Sequence, residues 1–381
     1  MRHVILVWSA VNLAASVLAE DGEIAAVPPA YHVLRFDENY SSLTNPANRT
    51  DWFDPIKYIP LRSHDPSWYL TVGGELRARF EGNYDANLGI GGVGSDDYLL
   101  QRITLLTDWH LGERVRLFAE GISGLIAGES LPAAPVQDDP IDLAYAFLDV
   151  VPYLNADKSF TVRAGRFGMN LGTGRLVATR AAASAPNIPF RFDGFAGLYA
   201  TPLWAATAFL THPAEDAGEI SGSDHATTFG GLYVTHWFDQ THQQGLDLYY
   251  LGIHNEEATY ASGTADEHSH SFGVRYFGKR DQWDWNQEDV IQVGSFGSDS
   301  ILAWTASLDG GYTWETTWKP RLGLRFNVIS GDVDANDARQ GTFNALYPNP
   351  GYFNDASLLR PANFIDVHPN ISVSVRYATF Q

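Results

Sequence analysis

The strongest constraint on this chain is an alternation of apolar and polar residues that recurs along most of its length. In residues 69–80 one parity is apolar and the other carries Thr71, Glu75, Arg77 and Arg79. Residues 102–109 and 114–121 repeat the pattern. A period of two is typical of a β-strand with one apolar face. Including these three, about fourteen strands are predicted, the others being 142–150, 160–167, 191–200, 203–211, 227–237, 246–253, 270–278, 285–296, 300–311, 320–329 and 370–379.

The connections between these strands predict a membrane protein. After residue 20 no apolar run approaches the ~20 residues that a spanning helix needs. Short connectors such as 111–113 alternate with long ones rich in Gly, Asp and Asn, namely 82–97, 122–141, 169–190, 254–268 and 331–369. Outer-membrane barrels have this rhythm, and they also have aromatic girdles at strand ends, where Trp68, Trp109 and Trp237 fall here. We therefore predict an all-β, antiparallel transmembrane β-barrel; a soluble sandwich or propeller is the alternative.

The N-terminus has the pattern of a secretory signal peptide. Arg2 precedes an apolar stretch from Val4 to about Leu18, and Ala19 offers a cleavage site. A short membrane anchor is the alternative interpretation. We predict a signal peptide at residues 1–19, a periplasmic N-terminal extension at 20–66 and an outer-membrane barrel at 67–381. The absence of cysteine excludes disulfides and thiolate metal sites.

Charge is distributed unevenly between the whole chain and the predicted inward face. The chain has 25 basic and 45 acidic side chains, a net charge of −20, which argues against unassisted binding of nucleic acid, so no nucleic-acid partner is predicted. The inward parity should line an aqueous channel, since a closed barrel of this size is not filled by its own side chains. Ten arginines and seven acids share that parity: Arg77, Arg79, Arg102, Arg114, Arg116, Arg163, Arg275, Arg321, Arg325 and Arg376, with Glu75, Glu81, Asp108, Glu120, Asp149, Asp247 and Glu288.

An arginine-biased channel would select anions. Rings of Arg favour anions in pores, and guanidinium binds carboxylates through two hydrogen bonds. The alternative is that these charges only neutralise one another across neighbouring strands. Arg163 and Arg166 cannot both point inward on a regular strand, so one is expected at a bulge or in a loop. The predicted pore-lining set is Arg77, Arg79, Arg102, Arg116, Arg163, Arg275, Arg321, Arg325, Glu75 and Asp193, and the predicted outward set is Leu76, Ala78, Leu105, Leu117, Leu248, Leu324 and Val373.

Other chemistry finds little support in the sequence. Three histidines, His254, His268 and His270, lie near Asp266 and Glu267, but residues 255–269 are predicted to form an external loop, so no metal site is assigned there. The acidic run with Asp332, Asp334 and Asp337 lacks the glycine and glutamate of an EF-hand, and leaves only a weak prediction of loosely bound Ca²⁺. Hydrolase, Walker and dinucleotide motifs are absent, so we predict neither an enzyme nor a cofactor.

Several motifs resemble those of one family of Gram-negative outer-membrane barrels. Residues 162–167 (VRAGRF), 171–177 (LGTGRLV) and 190–194 (FRFDG) resemble the alginate export family. So do residues 330–332 (SGD), 341–348 (GTFNALYP) and 361–369 (PANFIDVHP). The resemblance covers roughly residues 65–381 and keeps the order of the motifs.

The resemblance implies a monomeric barrel of about eighteen strands that passes a polyanionic exopolysaccharide through an arginine-rich pore. Because only about fourteen strands are counted here, a C-terminally truncated barrel is expected. The expected partners are an anionic polysaccharide such as alginate, outer-membrane lipid and periplasmic export machinery. A general or small-solute anion porin is the first alternative function, and an outer-membrane enzyme is the second.

Overall fold

Long β-strands, joined in chain order, make up most of the structure. The computed structural model describes residues 31–84, 94–130, 136–180, 186–215, 220–349, 361–375 and 378–380. The predicted signal peptide and Arg376 lie outside these ranges. Among the described residues, no helix has the length and apolar character needed to cross a membrane.

Fourteen strands of nine to eighteen residues lie within the described ranges, and all fourteen predicted segments fall on them. Three short strands, β1 (Ile59–Pro60), β15 (Arg339–Gln340) and β17 (Ala378–Phe380), complete the set. The long strands are β2 (Trp68–Asn83), β3 (Asp96–Leu111), β4 (Val115–Ala127), β5 (Asp139–Leu154), β6 (Ser159–Phe167), β7 (Phe192–Ala200), β8 (Trp204–Pro213), β9 (Thr227–Trp237), β10 (Gln244–Tyr260), β11 (Gly263–Arg280), β12 (Trp283–Phe296), β13 (Asp299–Thr313), β14 (Arg321–Ile329) and β16 (Phe364–Val375).

The long strands form one antiparallel meander from β2 to β16. Each pairs with its neighbour in sequence, and β14 pairs with β16 because β15 instead lies parallel to β13. The prediction of an all-β antiparallel barrel is confirmed. At one edge β1 pairs with the start of β2, and at the other β17 pairs with the end of β16. Over the described residues no ladder joins β16 to β2, so the sheet is not closed.

The two faces of the sheet differ as the alternation predicts. Leu76, Leu105 and Leu248 are 77%, 67% and 54% exposed on the outward face. Ala78, Leu117 and Leu324 are exposed there as well, and Val373 is half-buried. Outward apolar side chains with a polar opposite parity are the arrangement that a lipid-facing barrel wall requires.

The connections at the two ends of the strands are unequal. At one end, the end predicted to be periplasmic, every turn has two to seven residues. At the opposite, external end lie the long loops, but two connections there are two-residue turns, 261–262 and 297–298. The prediction of a loop at 254–268 is therefore wrong, because β10 and β11 stay paired through this segment, with one register shift after Asn255. The predicted 331–369 loop is also too long, since β16 begins at Phe364.

Residues 31–58, here called the luminal segment, run along the inward face of the sheet. Three short 3₁₀ helices, Arg35–Asp37, Ser41–Thr44 and Pro46–Asn48, and the one-turn helix α1 (Asp54–Lys57) shape this segment. Leu34 and Phe36 are buried in the same cluster as Phe118 and Phe147 of the wall. The part of the predicted 20–66 extension around Leu34 and Phe36 is therefore packed against the inward face of the sheet.

Candidate functional site

The inward face of the sheet carries guanidinium–carboxylate pairs that join one strand to the next. Three pairs stand directly opposite in register, with N···O distances of 2.8, 2.7 and 2.8 Å: Arg163 with Asp149, Arg275 with Asp247, and Arg325 with Asp309. Arg–carboxylate contacts of this length are charge-assisted hydrogen bonds. The charges along this wall thus compensate one another.

Three more of the predicted arginines also meet acids. Arg116 binds both carboxylate oxygens of Asp108 at 2.8 Å, and Arg79 lies 2.5 Å from Glu81 on its own strand. Arg102 lies 2.7 Å from Glu75. Arg102 and Arg116 follow the cross-strand pairing that the sequence left as the alternative to a bare arginine lining, whereas Arg79 pairs within its own strand.

Arg77 and Arg102 stand directly opposite each other on β2 and β3. Two like charges in this position would repel, but the β6–β7 loop supplies acceptors between them. Arg77 donates to the Asn187 side-chain oxygen at 2.7 Å and to the Pro186 carbonyl at 3.3 Å. The same carbonyl lies 3.5 Å from Arg102. The arginine pair thereby holds the end of this loop against the wall.

Two arginines of β14, toward the periplasmic end, are the most exposed of the predicted pore-lining arginines that pair with acids. Arg321 lies 2.5 Å from Asp284 and 3.5 Å from Asp309, and it donates to Asn370 at 2.9 Å. The side chains of Arg321 and Arg325 remain 22% and 28% exposed. This cluster, Arg321, Arg325, Asp284 and Asp309, is here called the periplasmic charge cluster. Its four side chains thus remain partly accessible to solvent.

Asp193 does not line the interior, which corrects the prediction. Asp193 and Phe195 lie two residues apart on β7, so their side chains point to the same face of the sheet. Phe195 is 65% exposed and faces outward. The Asp193 carboxylate binds Arg166 through two hydrogen bonds of 2.7 Å. Arg163 faces inward and Arg166 outward, with no register shift between them, so the expected bulge is absent. Arg166 is buried because Ser221 covers it and accepts a 2.8 Å hydrogen bond through its carbonyl.

An aromatic cluster fixes the N-terminal part of the luminal segment. The Phe36 ring meets Phe118, Tyr145 and Phe147 edge-on, with centroids 5.7, 5.4 and 5.2 Å apart. Arg116 donates a 2.7 Å hydrogen bond to the Phe36 carbonyl. Aromatic contacts of this kind add to the free energy of burial. The segment is therefore held by packing and by a charged donor of the wall.

The C-terminal part of the luminal segment is held by polar contacts and a second aromatic cluster. Tyr58 stacks on Tyr69 of β2 with a centroid separation of 4.8 Å. Lys57 lies 3.1 Å from Asp54, and its carbonyl accepts from Thr71 at 2.7 Å. Burial alone would raise the pKa of the Asp54 carboxyl, but backbone N–H groups and the Lys57 ammonium hold it below its usual value. This carboxylate stays ionised and accepts from the backbone N–H groups of Thr50 and Asp51, which holds the chain before the short helix in place.

The β6–β7 loop folds into the interior and reaches the far wall. Arg175 is 1% exposed and hydrogen-bonds Thr305 of β13. Gly172 has φ +56°, and a Cβ there would lie 2.5 Å from the Tyr233 hydroxyl oxygen of β9. Only glycine fits this backbone and this approach. The loop thus spans the space between the two sides of the sheet.

A second loop, residues 341–349, pairs with the first inside the barrel. The Tyr347 N–H donates to the Leu176 carbonyl at 2.9 Å, and Ala178 donates to the Tyr347 carbonyl at 2.8 Å. The Tyr347 ring packs among Phe190, Phe192 and Phe229. Together these two loops place an apolar cluster in the interior. Tyr347 was not among the predicted site residues, although its motif was among those noted in the sequence.

The weakly predicted calcium ligands do not come together. Asp334 and Asp337 instead cap their own loop, accepting from the backbone N–H groups of Asn336 and Arg339. Within the described residues, the group of three potential metal ligands that does converge is His254, Asp266 and His268.

The profile described as alginate export matches residues 68–379, all of the wall and both inward loops. The chain belongs to the alginate export family. It is thus an outer-membrane protein of the channel type, and the motifs that resemble the family include the two loops that meet inside the barrel.

Solved structures with a similar architecture are more distant. Pseudomonas aeruginosa OccD3 (OpdP) is 12% identical, covering 84% of this chain and 82% of its own, with a TM-score of 0.39. P. aeruginosa OccK8 (OprE) is 13% identical, covering 76% and 72%, with a TM-score of 0.46. Acinetobacter baumannii OccAB1 is 12% identical, covering 80% and 74%, with a TM-score of 0.45. No curated protein gives a significant match.

Proposed function

We propose that this member of the alginate export family carries an anionic exopolysaccharide such as alginate across the outer membrane by passive passage along the inward face of its barrel. The observation that carries the proposal is the family match over residues 68–379, which takes in the charged wall and both inward loops. A polyuronate presents one carboxylate per sugar, and guanidinium groups are suited to bind carboxylates.

The charge pairs of the wall suggest how a polymer could move without being trapped. Each wall arginine that the structure describes already has an acceptor, as Arg325 has in Asp309 at 2.8 Å. A sugar carboxylate would therefore compete with a wall carboxylate for the same guanidinium, so that each contact is weak. Weak and repeated contacts favour conduction, because a transported chain must leave every site that it enters.

Passage requires that the interior open. The luminal segment and the two paired loops fill the space along which a polymer would travel. We infer that the luminal segment, the paired loops or both must move aside. A polymer chain that enters from the periplasm would then meet the periplasmic charge cluster first.

The experiment is an efflux assay on the refolded full chain in liposomes. Vesicles are loaded with fluorescent oligouronate and, as the control, with neutral dextran of matched hydrodynamic size. We expect oligouronate to leave faster than dextran at low salt, with the difference shrinking as the Debye length falls. Equal efflux of both polymers would overturn polyanion export.

One observation favours the alternative of a small-solute porin. The arginines of the wall pair across strands, as expected if the charges mainly neutralise one another. The same assay separates the two functions, because a small-solute porin passes monovalent sugar acids and retains oligouronates.

A further inference from the structure

The hairpin of β10 and β11 carries a cluster of potential metal ligands on its outward face. Even-numbered residues face outward along β11 and along β10 as far as the register shift after Asn255, and the exposed rings of Tyr250 and Phe272 lie on this face. His254 and His268 lie further toward the external end and stand directly opposite each other in register. Since rings of this kind mark the membrane interface, the histidines lie on its aqueous side.

The three side chains converge on one point. His254 Nε2 is 2.8 Å from one carboxylate oxygen of Asp266, and His268 Nε2 is 3.2 Å from the other. All three ligand atoms lie within 4.8 Å of one another. Two metal bonds of about 2.0–2.1 Å at the tetrahedral angle separate their donor atoms by about 3.4 Å, so only small side-chain movements would enclose an ion.

The imidazole rings have the freedom to make that movement. They stack with centroids 4.2 Å apart and planes inclined by 6°, so their in-plane lone pairs do not yet point at a common position. Their side chains are 38% and 51% exposed, and that of Asp266 is 52% exposed. A rotation of each ring about its Cβ–Cγ bond can therefore turn Nε2 toward a shared ion without disturbing the wall.

We propose that His254, Asp266 and His268 form an external binding site for a borderline transition-metal dication such as Zn²⁺ or Cu²⁺. Two imidazole nitrogens and one carboxylate suit these ions, whereas Ca²⁺ and Mg²⁺ prefer sites made of oxygen alone. Water fills the remaining coordination positions. The bound ion links β10 to β11 above the membrane, and the site is independent of the proposed export function.

The first test is calorimetric titration of Zn²⁺ into the refolded full chain in detergent, prepared without a histidine tag and treated with chelator. We expect one site per chain. His254→Ala and His268→Gln should each weaken binding by tenfold or more. The matched control is His242→Ala, since His242 is exposed and lies in the periplasmic turn after β9. Equal Zn²⁺ binding by wild type and by the His254→Ala/His268→Gln double variant would overturn the proposal.

The second test reads the ligands directly. Cu²⁺ bound to the wild type should show an electron paramagnetic resonance spectrum with coupling to two nitrogens. Either single histidine variant should reduce this to one nitrogen, while His242→Ala keeps two. A wild-type spectrum identical to that of free Cu²⁺ would identify the cluster as a hydrogen-bonded triad without metal affinity.

Discussion

The ring of Phe36 lies edge-on to that of Phe147, with centroids 5.2 Å apart and planes at 86°. The first residue belongs to the luminal segment and the second to the inward face of β5. Their contact fastens a segment without regular strand structure to the wall of the channel. This segment, called the plug below, is also attached through the Phe36 carbonyl to Arg116 and through Tyr58 to Tyr69.

Replacing Phe36 with alanine should loosen this plug. Truncating a buried phenylalanine costs about 3–5 kcal/mol, and here the loss falls on the segment while the strand ladders stay intact. We expect larger single-channel conductance in planar bilayers. Phe53→Ala is the control, because Phe53 belongs to the same segment and is exposed. A conductance equal to that of wild type, in protein whose segment has become accessible to protease, would show that the plug does not limit flow.

A side chain at Gly172 should displace the β6–β7 loop. Gly172→Val forces a branched residue to φ +56° and brings its Cβ against the Tyr233 hydroxyl. Limited proteolysis should then cut the loop faster, and conductance should rise. Gly222→Ala is the matched control, since the nearest atom to its Cβ lies 3.7 Å away and its φ is not in the left-handed range. An unchanged cleavage rate would contradict the proposed fit.

The periplasmic charge cluster should set ion selectivity. Asp284→Asn with Asp309→Asn removes two negative charges beside Arg321 and Arg325, so the reversal potential in a KCl gradient should shift toward anions. Arg321→Gln with Arg325→Gln should shift it toward cations. Both shifts should shrink in 1 M salt, where the Debye length is about 3 Å. Identical reversal potentials for the two double variants would place the selectivity elsewhere.

Placing a charge on the outward face should destabilise the barrel. Leu105→Arg puts a guanidinium into lipid, which costs about 2–4 kcal/mol near the bilayer midplane. Denaturant unfolding in vesicles measures this cost. Leu105→Ala removes the same side chain without adding charge and should cost less. If the two variants unfold at the same denaturant concentration, Leu105 does not face lipid.

The sequence predicted the wall because lipid on one side and polar contents on the other impose a period of two. Leu76 and Leu105 could be assigned to the outer face for this reason, and Arg102 and Arg163 to the inner face. The alternation of apolar and polar residues is lost where the strands extend beyond the membrane. His254 and His268 were assigned to a loop because the outward residues of a strand above the membrane need not be apolar.

The contents of the barrel could not be predicted by the same means. Phe36, Arg175 and Tyr347 lie in segments without periodicity, and their partners are remote in sequence. Asp193 was misplaced because strand β7 is rich in glycine and gives little indication of parity. The cross-strand partners of the arginines depend on register, which alternation alone does not define.

The junction between the two inward loops also has a consequence for assembly. Arg180 reaches the Pro348 carbonyl at 2.8 Å across a sequence separation of 168 residues. Adjacent hairpins close short spans, whereas the entropy of closing a chain grows with its length. The wall should therefore form strand by strand around an empty interior, and the contact between the two inward loops should form last. A newly inserted molecule would then be leaky until the chain beyond β14 finds its partner.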